Sequence, residues 1–155
     1  MVCFLPTVIL RHRKENLKKC SLRGLESRQD CTFLRYPEDS LPLLSGYILL
    51  DVEGEELSEK DRGSGLFLID ATWRYAAIMI KTITMPDTIL RRSLPKNFST
   101  AYPRYQTGCA LPEQGLASVE ALFLAYRLMG RSTEGLLDNY YWKKDFLIKN
   151  GLNAT

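Results

Sequence analysis

Apolar and polar positions alternate along this chain with two periods. The opening run Met1-Val-Cys-Phe-Leu-Pro-Thr-Val-Ile-Leu10 is apolar. It is short and lacks both the basic leader and the small-residue cleavage site of a signal peptide, so it reads as a strand over residues 2–10. Residues 14–28 read as a basic turn and a short helix broken or capped near Gly24. Strands are predicted at 31–36 and 46–52, with Pro37 and Pro42 marking the connection between them. Leu66-Phe-Leu-Ile-Asp70 is a continuous apolar run, the pattern of a buried parallel strand. A helix follows over 73–84 and a further strand over 89–94. Pro95, Pro103, Gly108, Pro112 and Gly115 make residues 95–115 one long ordered loop, and such loops often carry function. Two helices close the chain. One spans 117–129 and ends at Gly130; the other spans 133–149, with Ser132 or Thr133 as N-cap and Gly151 just beyond its end. Strands alternating with helices predict an α/β fold with a largely parallel sheet, which binds ligands outside the carboxyl ends of its strands.

Composition narrows the class. A chain of 155 residues, 45% hydrophobic and 25% charged, makes one ordinary globular domain or two small ones. No apolar run approaches the roughly 20 residues of a membrane span, so no membrane partner is expected. The four cysteines, at 3, 20, 31 and 109, have no C-x-x-C spacing, which argues against structural zinc and for free thiols in a reducing cytoplasm. With a single histidine, no metal site is expected. The net charge of +3 is unevenly spread: residues 11–28 carry seven basic groups against two acidic, 29–70 three against ten, and 71–155 eleven against six. The basic ends suit either a phosphate backbone or a solvated face. The acidic middle, residues 51–61, would repel RNA and is expected to face away from it.

Several positions are candidates for chemistry. Asp70 stands at the carboxyl end of the apolar strand, where α/β sites assemble, although a helix N-cap is its ordinary use. Trp73 suits stacking on an adenine or on a cationic sulfonium, or plain core packing. Residues 91–105 mix cations with aromatics, a combination fitted to single-stranded or loop RNA. Ser118 and Glu120 open a helix whose first N–H groups suit a carboxylate or phosphate, and both residues are equally fitted to capping it. His12 reads as a phosphate contact or plain surface. Tyr140, Tyr141 and Trp142, within the last predicted helix, read as core.

Taken in order, His12-Arg-Lys-Glu-Asn-Leu-Lys-Lys-Cys-Ser21, Gly46-Tyr-Ile-Leu-Leu-Asp51, Leu68-Ile-Asp-Ala-Thr-Trp73, Arg92-Ser-Leu-Pro95, Ala101-Tyr-Pro-Arg-Tyr105, Leu116-Ala-Ser-Val-Glu-Ala121 and Trp142-Lys-Lys-Asp-Phe-Leu147 resemble the ribosomal RNA aminocarboxypropyltransferases of small-subunit maturation. The resemblance covers nearly the whole chain. The DTW-domain transferases that modify tRNA uridines share the Asp-x-Thr-Trp element, the loop at 101–105 and the final helix motif. Their N-terminal cysteine cluster is absent here, and Cys20-Ser21 stands where the rRNA family commonly has Cys-Thr.

The resemblance implies a small N-terminal α/β region over 1–60 that binds RNA. A SPOUT-like, knotted domain over 61–155 would follow and bind S-adenosyl-L-methionine. It implies transfer of the 3-amino-3-carboxypropyl group to ring nitrogen 3 of a uridine or pseudouridine, with release of methylthioadenosine and without a metal. Which carbon of the sulfonium reacts is a matter of position: the one held about 3–3.5 Å from the nucleophile, in line with its C–S bond. On this reading Asp70 takes the ring proton or holds donor and acceptor in line. Ser21, Trp73, Leu94, Leu116, Ser118 and Glu120 bind the donor. Arg11, Arg13, Lys14, Lys18, Lys19, Arg91, Arg92 and Arg104 contact RNA phosphates. The base must leave its stack to react, which favours a hairpin loop. The protein is expected to be a cytoplasmic monomer. Alternatives are the same transfer onto a tRNA uridine, a non-catalytic ribosome assembly factor that binds RNA, and an RNA methyltransferase.

Overall fold

The computed structural model describes residues 4–14, 20–86, 89–102 and 115–152. Five strands form one all-parallel sheet: β1 (Thr7–His12), β2 (Cys31–Tyr36), β3 (Tyr47–Glu56), β4 (Gly65–Asp70) and β5 (Leu90–Ser93), in the order β2-β1-β4-β3-β5. The described residues also include three α-helices, α1 (Trp73–Thr82), α2 (Ser118–Leu128) and α3 (Lys143–Lys149), and two single-turn 3-10 helices at Leu25–Ser27 and Glu59–Asp61. Every residue of β1 is buried, as expected of a central strand covered on both faces. Alternation along the strands divides the core in two. Ile9, Ile48, Leu66 and Leu68 pack beneath α2 and α3 against Leu122, Phe123 and Phe146. Val8, Leu10, Leu49 and Phe67 face the other way, toward Met79 of α1 and Leu44.

The order of the strands selects a place for a ligand. The chain leaves β1 toward β2, on one side, and leaves β4 through α1 toward β5, on the other. The gap between the carboxyl ends of β1 and β4 is therefore a topological switch point, where open α/β sheets bind ligands.

Some boundaries differ from those predicted. The first strand starts at Thr7, because Pro6 has no N–H to give the ladder, and Thr7 N–H bonds the Asp30 carbonyl (2.8 Å). β3 runs on to Glu56 rather than stopping near 52; its acidic half pairs with β5 across an irregularity between Leu50 and Glu55. Gly54 sits there at φ 105°, where a Cβ would lie 2.4 Å from the Arg91 carbonyl oxygen. The predicted helix over 133–149 is split. Gly135 adopts φ 80°, a left-handed conformation that interrupts the helix, so 133–140 is a series of i to i+3 turns and only Lys143–Lys149 is helical. No break separates residues 1–60 from 61–155 within the sheet, since β4 lies between β1 and β3. The described residues do not show the C-terminal knot.

Candidate active site at the switch point

Arg11 and Asp70 are register partners on neighbouring strands. They share the face of Ile9 and Leu68, two residues before them, so the pleat that buries those side chains turns Arg11 and Asp70 inward as well. They are 7% and 3% exposed. Arg11 Nε donates to Asp70 Oδ2 (3.1 Å), Nη1 to Glu26 (3.2 Å) and Nη2 to the Cys20 sulfur (3.5 Å), while the guanidinium lies 4.8 Å over the Phe33 ring. Cys20 Sγ donates to Asp70 Oδ2 (3.2 Å) and Ser118 Oγ to Oδ1 (2.8 Å). Asp70 is thus not a helix cap: the N-cap of α1 is Thr72. Three of the roughly four acceptor positions of its carboxylate are taken. Burial opposes the Arg11 charge, but Cys20, Asp70 and Glu26 more than offset it, and its pKa lies above the usual value. Burial and the Asp70 charge push the Cys20 thiol up to about 12, so it stays protonated.

The start of α2 closes the cluster. Ser21 Oγ accepts from Val119 N–H (3.1 Å), and Ser118 reaches Asp70. Residues 20–21, β4 and α2 are held to one another by these bonds. Glu120 is fully buried. Its Oε1 accepts from Thr100 Oγ1 (2.6 Å) and Ala117 N–H (2.8 Å), and its Oε2 from Ala101 N–H (2.9 Å) and Tyr140 OH (2.8 Å). It caps α2 and ties the loop after β5 to the residues before α3. Its two carboxylate oxygens are thus each met by two donors of this chain. The N-cap N–H of Ala117 is taken by Glu120, and the first-turn N–H of Val119 by Ser21.

Beside this cluster lies a crevice of about 490 Å³, within the range of small-molecule sites. Leu50, Leu68, Leu94, Phe98, Leu116 and Ala121 form an apolar slot in it, and Asp51, Ser93 and Lys96 bring polar groups. Ile69 and Ala71, the neighbours of Asp70, line it too. Leu94 and Leu116 are thus together in the crevice, and Ser21, Ser118, Arg11 and Asp70 are together beside it. Trp73 opens α1 three residues after Asp70.

The basic candidates divide. Arg13 and Lys14 are exposed just past β1. Arg11 is not: buried against Asp70, it faces the core and presents no cation to a phosphate. Arg91 pairs with Asp51 (2.7 Å) and Arg92 with Asp61 (3.3 Å). The acidic middle therefore does not stand apart from the basic strand; it neutralises it. Lys18, Lys19 and Arg104 lie outside the described residues. His12 is not a surface group. It stacks on Tyr75 at 4.0 Å and accepts from Lys14 N–H (3.1 Å); burial, then Arg13 and Lys14, lower its pKa and keep it neutral. Tyr140 is core, but Tyr141 is 85% exposed, because the broken helix turns it outward.

Sequence reasoning missed Cys20 and Glu26 as partners of Arg11, and the inward turn of Arg11 itself. A signal for the latter was present: Arg11 is in phase with Ile9 along β1. Among the described residues there is no cluster of three metal-ligating side chains, and no helix is long and apolar enough to cross a membrane.

No protein-family model and no curated protein matches the chain. Among solved structures, it matches the SAM-dependent rRNA:acp-transferase Tsr3 from Vulcanisaeta distributa. The TM-score is 0.72 at 25% identity, over 96% of this chain and 80% of that one. The two share a fold.

Proposed function

We propose that the protein transfers the 3-amino-3-carboxypropyl group of S-adenosylmethionine to ring nitrogen 3 of a uridine or pseudouridine in small-subunit rRNA. The observation that carries this reading is the match to an rRNA:acp-transferase over 96% of the chain. The site described above fits it. A crevice of about 490 Å³ at the strand ends, with its apolar slot, suits a nucleoside, and the neighbouring Asp70 carboxylate suits a cationic sulfur. When bound, S-adenosylmethionine supplies an electrophilic carbon at the end of its amino-acid arm.

The residues of this chain have the following parts. Leu50, Leu94, Phe98 and Leu116 hold the adenine and exclude water from its faces. Trp73, at the start of α1, is assigned to the same pocket. Ser118 and Ser21 fix the first turn of α2 beside the crevice, and Ser21 is assigned to the amino-acid end. Arg11 holds the Asp70 carboxylate in place; it is a positioning residue rather than an RNA contact. Asp70 keeps one acceptor position, on Oδ1, and through it takes the proton of the ring nitrogen or fixes the acceptor in line. Arg13 and Lys14, with Lys18, Lys19 and Arg104, are assigned to RNA phosphates. Glu120 supports the site without touching a ligand.

The test is an incubation with S-adenosylmethionine labelled separately in the carboxyl and methyl groups, with total RNA as acceptor. Carboxyl label entering small-subunit rRNA is the expected result. Methyl label in RNA, carboxyl label confined to tRNA, or neither label in RNA would each refute it.

A further inference from the structure

The opposite end of the sheet holds a second cavity, of about 420 Å³, lined by Phe4, Arg28, Asp30, Tyr126, Arg131 and Ser132 together with Glu134. It lies at the amino ends of β1 and β2, where Thr7 N–H meets the Asp30 carbonyl. Its charges are unequally satisfied. Arg28 grips Asp30 with two parallel bonds (2.8 and 2.9 Å) and gives Nη1 to the Glu134 carbonyl (2.9 Å), so that cation and that carboxylate are committed to each other. Arg131 has no such partner. Its guanidinium carbon lies 4.3 Å from the centroids of both Phe4 and Tyr126, and the residue is 7% exposed. Contact with two aromatic rings supplies no hydrogen-bond acceptor to its N–H groups. No side-chain nitrogen of Arg131 has a hydrogen-bond or ion-pair partner among the described residues, and Nη1 is buried in that state. Arg62 adds a second positive charge, 5.7 Å from the Phe4 ring. Ser132 Oγ accepts from Glu134 N–H (3.3 Å), which leaves its own proton to donate.

We propose that this cavity is an oxyanion site that takes a phosphate group, with Arg131 as its main ligand and the Ser132 hydroxyl as its second donor. The guanidinium is buried against two aromatic rings, and its fork of N–H groups matches two phosphate oxygens. Free phosphate and the phosphodiester of an RNA strand present the same oxygens. The site does not depend on the transferase reading: it lies at the other end of the strands and shares no residue with the crevice.

The test uses the full chain in a phosphate- and sulfate-free buffer at fixed ionic strength. Inorganic phosphate is titrated in one arm and a single-stranded oligoribonucleotide in the other, with the Nε–Hε resonance of Arg131 followed by NMR. A saturable shift is expected, at least tenfold weaker in affinity when read by unfolding temperature in Arg131→Lys, and several-fold weaker in Ser132→Ala. Ser132→Ala serves by itself where Arg131→Lys does not fold. Saturation by inorganic phosphate supports a free-ion site; saturation by the oligoribonucleotide alone supports a backbone phosphate. Absence of a shift in both arms, or unchanged affinity in the folded variants, would overturn the proposal.

Discussion

The pair formed by Arg11 and Asp70 makes a quantitative demand. Its members are 7% and 3% exposed, and Nε lies 3.1 Å from Oδ2. Removing one partner of a buried pair leaves the other charge uncompensated, which costs about 3–5 kcal/mol. Asp70→Leu falls at the low end, ~3 kcal/mol, because Glu26 remains 3.2 Å from Nη1 and Phe33 still covers the guanidinium. Arg11→Met leaves Asp70 with a hydroxyl and a thiol, two neutral donors, and should cost at least as much. Replacing both charges together removes the uncompensated group, so the double variant should lose less than ~2 kcal/mol. For a chain of this size Asp70→Leu should lower Tm by roughly 6–12 °C, Arg11→Met by that or more, and the double change by less than either. Urea and thermal unfolding at pH 7 measure all four corners of the cycle. Additive effects, within ~0.5 kcal/mol, would refute the pairing argument. The same double variant separates folding from chemistry: it should be folded and yet transfer no carboxyl label to RNA. Full activity in it would remove Asp70 from the reaction.

Glu120→Gln should destabilise the protein by about 1–3 kcal/mol, read as a lower urea midpoint, because the new NH₂ must face a donor, and Ala101 N–H cannot reverse to accept. Alkaline stability follows from the thiols. Burial pushes Cys20 up to about 12 and Cys31 up to about 11, so each binds its proton more tightly folded than unfolded. Their contribution is complete below roughly pH 8.5 and is lost as pH rises through those values; a urea midpoint that stays flat from pH 8 to 11 would contradict this. RNA affinity should fall with salt at a log–log slope of about −3.5, for the five candidates Arg13, Lys14, Lys18, Lys19 and Arg104, and not the roughly −5.6 that eight contacts would give. Filter binding over a range of salt concentrations distinguishes the two. Gly54→Ala should cost roughly 1–3 kcal/mol, measured by thermal unfolding, since its φ of 105° and the Arg91 carbonyl leave no room for a Cβ.

Local pattern carried the strands and α2. Residues 31–36 and 66–70 declare themselves by β-branched and aromatic content and by continuous apolarity, and α2 by its period and by the glycine after its last turn. What the pattern could not carry depends on pairs far apart in sequence. The acidic half of β3 has no apolar face, so nothing local marks it as strand; it is extended because β5 lies beside it and supplies Arg91 and Arg92. Glu120 looks like an ordinary first-turn carboxylate until Thr100 and Tyr140, each 20 residues away, arrive on it. Arg11 belongs to a basic run in composition but to the core in phase. Asp70 was legible from its place at a strand's end, whereas its three donors were not.

These placements bear on how two reactants would meet at one carboxylate. On the β3 and β5 side of Asp70, Asp51 and Asp61 neutralise Arg91 and Arg92, and the crevice there, with Lys96 its one basic lining residue, is walled mainly by leucine, isoleucine and phenylalanine. Such a surface accepts a nucleoside and offers little to a polyanion. On the β1 side Arg13 and Lys14 are exposed at the strand's end, and Lys14 lies over Tyr75. Under the proposed reading, donor and RNA therefore approach Asp70 from opposite sides of the switch point, which is the arrangement an in-line displacement requires. Charge reversal tests the asymmetry. Lys14→Glu should weaken RNA binding with donor affinity unchanged, and Leu94→Glu should do the reverse; equal effects of both on both ligands would show that the two sides are not divided in this way.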